Sequence, residues 1–302
     1  MIIYNVPFIG SKSAEVNKMP VHMMKAMLVP IENHDRTRSI LSTALAFARN
    51  FDSQICGFAL SPATTPFLAA DVIGASVIYE PLADYNEESA TQARGLFESF
   101  MKEQAIPRRT SEASGVTWSW KNDVPPGDHM VGILGRVFDV TVVGRSEPRV
   151  SGPRSTTLDA ALFDSGRPIL IAPPTAPESI GRRILIAWNR STETARTVAV
   201  AMPLLKQADE IVVLAVEGSH VPGPMAEELI SYLRTHGISA RSLSIAPGKR
   251  GAGATILEEA AALGSDLVVK GAFTQSRLRQ IIFGGATQHL LTETEVPVFM
   301  AH

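Results

Sequence analysis

The chain holds a single cysteine, Cys56, so no internal disulfide can form and its cysteine usage gives no support for an oxidising compartment. Within Ile55-Cys56-Gly57-Phe58 it reads as a small buried apolar residue. An excess of charge of one sign is missing as well. The formal net charge is -2, which excludes the basic surplus that grips nucleic acid or an anionic membrane. No apolar run reaches the roughly 18–20 residues of a membrane span. Residues 1–24 lack the charged start and continuous apolar core of a signal peptide and read as an N-terminal extension, with Met19, Met23 and Met24 as alternative starts. A cytoplasmic location is expected.

Metal and catalytic signatures are also missing. His22, His34, His129, His220, His236, His289 and His302 form no tight ligand pair, and one cysteine makes no thiolate cluster. There is no Gly-x-Ser-x-Gly elbow and no Walker loop, so no catalytic set is assigned.

What the chain does have is an internal repeat. Its 302 residues, 45% of them apolar, suit two globular domains. Met27–Glu32 resembles Ile184–Asn189 at an offset of 157, Asp139–Gly144 resembles Asp266–Gly271 at 127, and Pro168–Ala172 resembles Pro297–Ala301 at 129. Three matches in one order indicate a duplication. Each piece is a short apolar run bounded by Gly, Pro, Asn or Asp, the pattern of strands buried on both faces.

Helical periodicity fills the intervals. Ile40, Leu41, Ala44, Leu45 and Ala48 share a face, as do Ala195, Val198, Met202 and Leu205, with Ser191 placed to cap the latter helix. Further elements are expected at Ile211–Val216, Met225–Thr235, Ile238–Leu243 and Ala286–Thr292. Strand and helix in alternation predict two tandem α/β domains. Each would be a doubly wound, five-stranded parallel sheet, its ligand crevice beyond the carboxyl ends of the strands. The boundaries are 25–174 and 181–302, joined by a Pro-rich linker near 173–181. The first copy carries extra sequence at 61–110, where Ala90, Ala93, Phe97, Phe100 and Met101 predict a helix that covers an edge or meets a partner.

The loop after Leu267–Lys270 carries the strongest chemical signal. Gly271 directly after a strand admits close backbone approach, and Gly284-Gly285 precede a helix whose exposed amides suit a phosphate. Thr287 offers a hydroxyl, and Arg277 or Arg279 a charge. The alternative is that these glycines only let the last crossover pack tightly.

On these motifs, from about Lys25 onward, the chain resembles a tandem universal stress protein. The resemblance implies an adenine nucleotide alpha hydrolase-like, Rossmann-like fold. It also implies a non-enzymatic stress-response role, with ATP or AMP bound by members that carry Gly-x2-Gly-x9-Gly-(Ser/Thr). Gly271 and Gly284 keep the spacing of the first and third glycines, Thr274 replaces the second, and Gly285 replaces the Ser/Thr. Asn189 stands where the family has an Asp near the base, and Ala187 would be a backbone contact. The implied cofactor-binding set is therefore Ala187, Asn189, Gly271, Thr274, Gly284, Gly285, Ala286 and Thr287, with no metal beyond nucleotide-associated Mg.

In the first copy, Glu32 takes the Asp position and Glu147 the second glycine. Ser155-Thr156-Thr157, with Arg145, Arg149 and Arg154, reads as a capped helix start with solvated arginines, or else as an anion cradle. Two other functions stay open: a nucleotide-independent scaffold in which Ile169–Ala172 and Val298–Ala301 pair about a pseudo-twofold axis, and a weak ATPase or autophosphorylating protein. A protein partner or self-association is expected.

Overall fold

The computed structural model describes residues 24–61, 82–146, 152–272 and 285–302. The expected extension at 1–24 therefore lies almost wholly outside the described residues, as do the apolar residues Phe67, Leu68, Val72 and Ile73 of the extra 61–110 sequence, and Glu147, Arg149, Thr274, Arg277, Arg279 and Gly284.

The N-terminal half runs β1 (Ala26–Ile31), α1 (Thr37–Arg49), β2 (Gln54–Ala59), α2 (Leu82–Glu103), β3 (Thr117–Trp120), α3 (His129–Gly135), β4 (Val140–Gly144), α4 (Ser155–Asp164) and β5 (Ile169–Ala172). The C-terminal half repeats the plan with β6 (Arg183–Ala187), α5 (Thr192–Leu205), β7 (Glu210–Val216), α6 (Ala226–Thr235), β8 (Arg241–Ile245), α7 (Ala252–Ala262), β9 (Leu267–Gly271), α8 (Ala286–Glu293) and β10 (Val298–Ala301). All strands lie in one ten-stranded sheet of order β3-β2-β1-β4-β5-β10-β9-β6-β7-β8. Every pairing is parallel except the central one, where Val298, Phe299 and Met300 of β10 run antiparallel to Ile171, Leu170 and Ile169 of β5.

The apolar runs form these strands because helices cover both faces. β4, β5, β9 and β10 are buried at every residue. One core layer joins Val29, Leu41, Phe97, Ile186, Val213 and Phe299; the other joins Leu28, Val143, Leu158, Leu185, Val268 and Leu290. The β5–β10 seam is reinforced by Phe47 stacked on Phe299 at 6.4 Å, and by Arg145 Nη1 donating to the Thr294 carbonyl at 3.1 Å and meeting Glu295 at 2.8 Å. The two apolar runs expected as pairing edges are thus joined directly, and an exposed apolar edge is avoided.

Two expectations need adjustment. The helix in the 61–110 segment is not an addition to the fold: α2 is the crossover from β2 to β3, the counterpart of α6, and it is longer. Ala93, Phe97, Phe100 and Met101 are buried on the sheet. Gly57 makes room for Phe97, since a Cβ there would fall 2.8 Å from the ring. Phe97 also meets Trp118 and Trp120 of β3 at 5.7 and 5.3 Å, so both indoles share a face, as residues two apart on a strand do. The strand expected at Ile238–Leu243 begins later, at Arg241, and Ile238 is a buried residue of the preceding turn. Cys56 is buried and unpaired, and no described helix is long and apolar enough to cross a membrane.

Candidate functional site

In each half the strand order reverses once, between β1 and β4 and again between β6 and β9. A crevice at the carboxyl ends of such strands is where open α/β sheets place ligands. The two crevices are built from different chemistry.

In the C-terminal half, β6 ends at Ala187, which is buried, and Trp188 follows with its indole donating to the Pro224 carbonyl at 2.9 Å. Asn189 then closes the turn into α5. Its Oδ1 accepts from the Thr194 hydroxyl at 2.5 Å and from the Ser191 N–H at 3.3 Å. The carbonyl expected to meet a base is therefore already engaged in this turn. Ser191 caps α5 as expected, accepting from the Thr194 N–H at 3.1 Å. Arg190 sits at φ +68°, with Gly223 so close that a Cβ would fall 2.6 Å from the Arg190 carbonyl oxygen.

Gly271 ends β9, and its missing side chain has a definite use. A Cβ there would stand 2.3 Å from the Thr194 backbone nitrogen, so the space is taken by the first turn of α5. Gly285 is the N-cap of α8 and Ala286 its first residue, and Gly285 offers no side chain to cap this helix. α8 is held in place by α7, where Gly253 approaches His289 and Ala286 closely enough that a Cβ would lie 2.6 Å from the His289 Cβ. Thr287, in the first turn of α8, is buried and points to β9.

It meets Lys270, the residue that sequence reasoning passed over. Lys270 is only 4% exposed, and its Nζ donates to the Gly271 carbonyl at 2.9 Å and to the Thr287 hydroxyl at 3.4 Å. Burial pushes its pKa down to about 8, with Glu193 on α5 pulling the other way. Glu193 itself is shifted down: burial raises it, but its own backbone N–H and the Thr192 and Ser191 hydroxyls outweigh that. The available signal was a lysine closing an otherwise apolar strand, where the N-terminal half has Val143.

The N-terminal crevice is closed by ions. Arg154, just before α4, places Nε 3.3 Å from Glu32 at the end of β1 and Nη2 2.7 Å from Asp128. The Thr156 hydroxyl also donates to Asp128. Arg145 and Arg154, expected as solvated arginines, are instead partly buried structural cations. Burial raises the Glu32 pKa, and neighbouring Arg154 only partly offsets it. Gly144, the counterpart of Gly271, is covered by Pro153 and Ile40, with a Cβ position 2.4 Å from the Pro153 ring. Beside this plug, a cleft of about 620 Å³ lies past the ends of β2 and β3, lined by Ser61, Thr91, Arg94, Trp120 and Lys121 among others. A cavity of about 720 Å³ near Lys25, Asp52 and Gln54 lies at the amino ends of β1 and β2, away from either crevice. Among the described residues no group of His, Cys, Asp and Glu could hold a metal ion.

Fold and crevice thus define a doubly wound α/β protein with one plugged and one charge-bearing switch point. Residues 181–302 match the model of the universal stress protein family. No curated protein matches. Among solved structures the chain is similar to a universal stress protein from Archaeoglobus fulgidus DSM 4304, with a TM-score of 0.69 and 16% identity over 92% of this chain and 96% of that one. It is also similar to a functionally unknown protein from Pseudomonas aeruginosa PAO1, with a TM-score of 0.50 and 13% identity over 92% of each chain. At these identities the likeness is one of fold.

Proposed function

We propose that the chain is a tandem universal stress protein-like protein, made of two diverged copies at 25–174 and 181–302, and that it serves a cytoplasmic stress response without catalysing a reaction. Its second copy binds an adenine nucleotide, ATP or AMP, in the crevice between β6 and β9. The observation that carries this reading is the family match over 181–302, which spans β6 to β10 and the whole of that crevice. The equivalent strand orders of the two halves support the duplication. The start of α8, which Gly285 leaves without a side-chain cap, stands beside Lys270 and supports phosphate binding, because a helix N-terminus and a cation both favour an anion. Ala187, Asn189, Gly285 and Ala286 line the same end of the sheet, with Asn189 and Gly271 shaping the crevice as much as touching a ligand.

The test is to denature the purified protein, identify released small molecules, and titrate the native chain calorimetrically with ATP and AMP. Bound nucleotide, or saturable heat with either, is the expected result; neither at millimolar ligand overturns the reading. Gly271→Val is a poor probe of binding, since its side chain would strike the α5 backbone.

A second reading is favoured by the β5–β10 seam: a nucleotide-independent scaffold in which the sheet itself is the functional product. The same titration separates the two.

A further inference from the structure

Lys270 is costly where it stands. A buried ammonium is normally paired with a carboxylate or fully hydrogen-bonded. Among the described residues it has no ion pair and two acceptors, one of them at 3.4 Å, for three N–H donors. It also lies against the first turn of α8, the positive end of a helix dipole, where a cation is disfavoured. α5 brings a second helix start to the same strand end, because Gly271 rests on the Thr194 nitrogen. The one carboxylate among the described residues that acts on this cation is Glu193 in the first turn of α5, and it forms no ion pair with it, so a further negative charge between the two helix starts is favoured.

We propose that Lys270 is the buried counter-charge for an anionic ligand group held between the starts of α5 and α8, and that the bound anion holds the proton on its amine. This deepens the nucleotide reading above and rests on it for the phosphate as the natural anion, though a free phosphate has the same chemistry. Among the described residues the titratable groups facing the site are Glu193 on α5 and His302 beyond β10, whose Nδ1 lies 3.2 Å from the Ala272 carbonyl oxygen. The first copy shows the alternative solution: Val143 replaces the lysine, and the cation of that crevice is Arg154, already paired with two carboxylates.

The full chain and Lys270→Met should be titrated with ATP, AMP, adenosine and pyrophosphate at pH 7 and pH 9, in two buffers of different ionisation enthalpy. With the amine half-protonated near pH 8, wild-type affinity for phosphate-bearing ligands should fall about tenfold between the two pH values, and binding should take up protons at pH 9 and few at pH 7. Lys270→Met should weaken phosphate-bearing ligands about tenfold or more at pH 7, abolish their pH dependence, and leave adenosine unaffected. Proton uptake measured on the wild type keeps the test valid should the variant misfold. If ATP binds both proteins alike with no proton uptake, the proposal falls and the nucleotide reading stands. Pyrophosphate binding that depends on Lys270, with ATP binding no tighter, would keep the proposal and sink the nucleotide. If no anion binds the wild type at millimolar concentration, both fall.

Discussion

Each half of the sheet places a cation at the carboxyl end of its strands, beside a helix start, and the two cations are treated in opposite ways. Arg154 is neutralised by Glu32 and Asp128, so its crevice is filled by the protein's own charges. Lys270 is buried deeper, has no ion pair among the described residues, and is pulled only at longer range by Glu193. The N-terminal half thus closes its crevice with an internal ion network, and the C-terminal half carries an electrostatic cost. Stored cost of this kind is typical of sites that wait for a ligand.

The comparison is broken most severely by removing the paired cation. Arg154→Met should leave two partly buried carboxylates facing each other and destabilise the protein by about 3 kcal/mol, read as a lower denaturant midpoint. The loss should shrink in acid, where protonation of Glu32 relieves the repulsion. A variant as stable as wild type at pH 8 would show that the network is ornamental. Next comes Gly271→Ala. Its Cβ would meet the α5 backbone at 2.3 Å, a contact that cannot yield by side-chain rotation, so a loss of about 2–3 kcal/mol is expected in thermal melts. Retained stability would mean that α5 can move off β9 and that the glycine serves a ligand instead.

Sequence periodicity and the repeated runs located nearly every strand, because strands buried on both faces read as continuous apolar blocks. The β5–β10 seam was also legible, as two equivalent apolar runs that would otherwise be exposed edges. α3 was not foreseen, since His129–Gly135 is too short to show a period. The site was less legible for a physical reason. Motif spacing identifies Gly271 but cannot tell whether the space belongs to a ligand or to the Thr194 backbone, which depends on how α5 docks. Nor could the sequence pair Arg154 with Asp128, 26 residues away, or show that Lys270 turns inward; only the packed sheet brings those charges together.

The unpaired cation gives the third prediction. The folded pKa of Lys270, about 8, is below the unfolded value, so between these values the unfolded chain binds more protons and stability rises with pH. Lys270→Met should therefore stabilise the ligand-free protein by about 2 kcal/mol at pH 7, with the advantage fading above about pH 10. Urea titrations at pH 7 and pH 10 measure it. A variant less stable than wild type at pH 7 would mean that the bonds to Gly271 and Thr287 outweigh the burial of charge, and would undercut the contrast between the halves.

The smallest effect should come from Glu32→Gln. The raised pKa of Glu32 says that burial of its carboxylate costs more than the pull of Arg154 returns. A carboxyl group with a raised folded pKa contributes stability that is full below its unfolded pKa and is lost as pH rises through the folded one. Glutamine keeps the size, gives up the charge, and leaves Arg154 paired with Asp128. The variant should thus match wild type in acid and be equal or up to about 1 kcal/mol more stable near pH 8. A loss near pH 8 as large as that expected for Arg154→Met would reverse the assignment: Glu32 would then be the member that holds Arg154 in place, and the plugged crevice would rest on the end of β1 and not on Asp128.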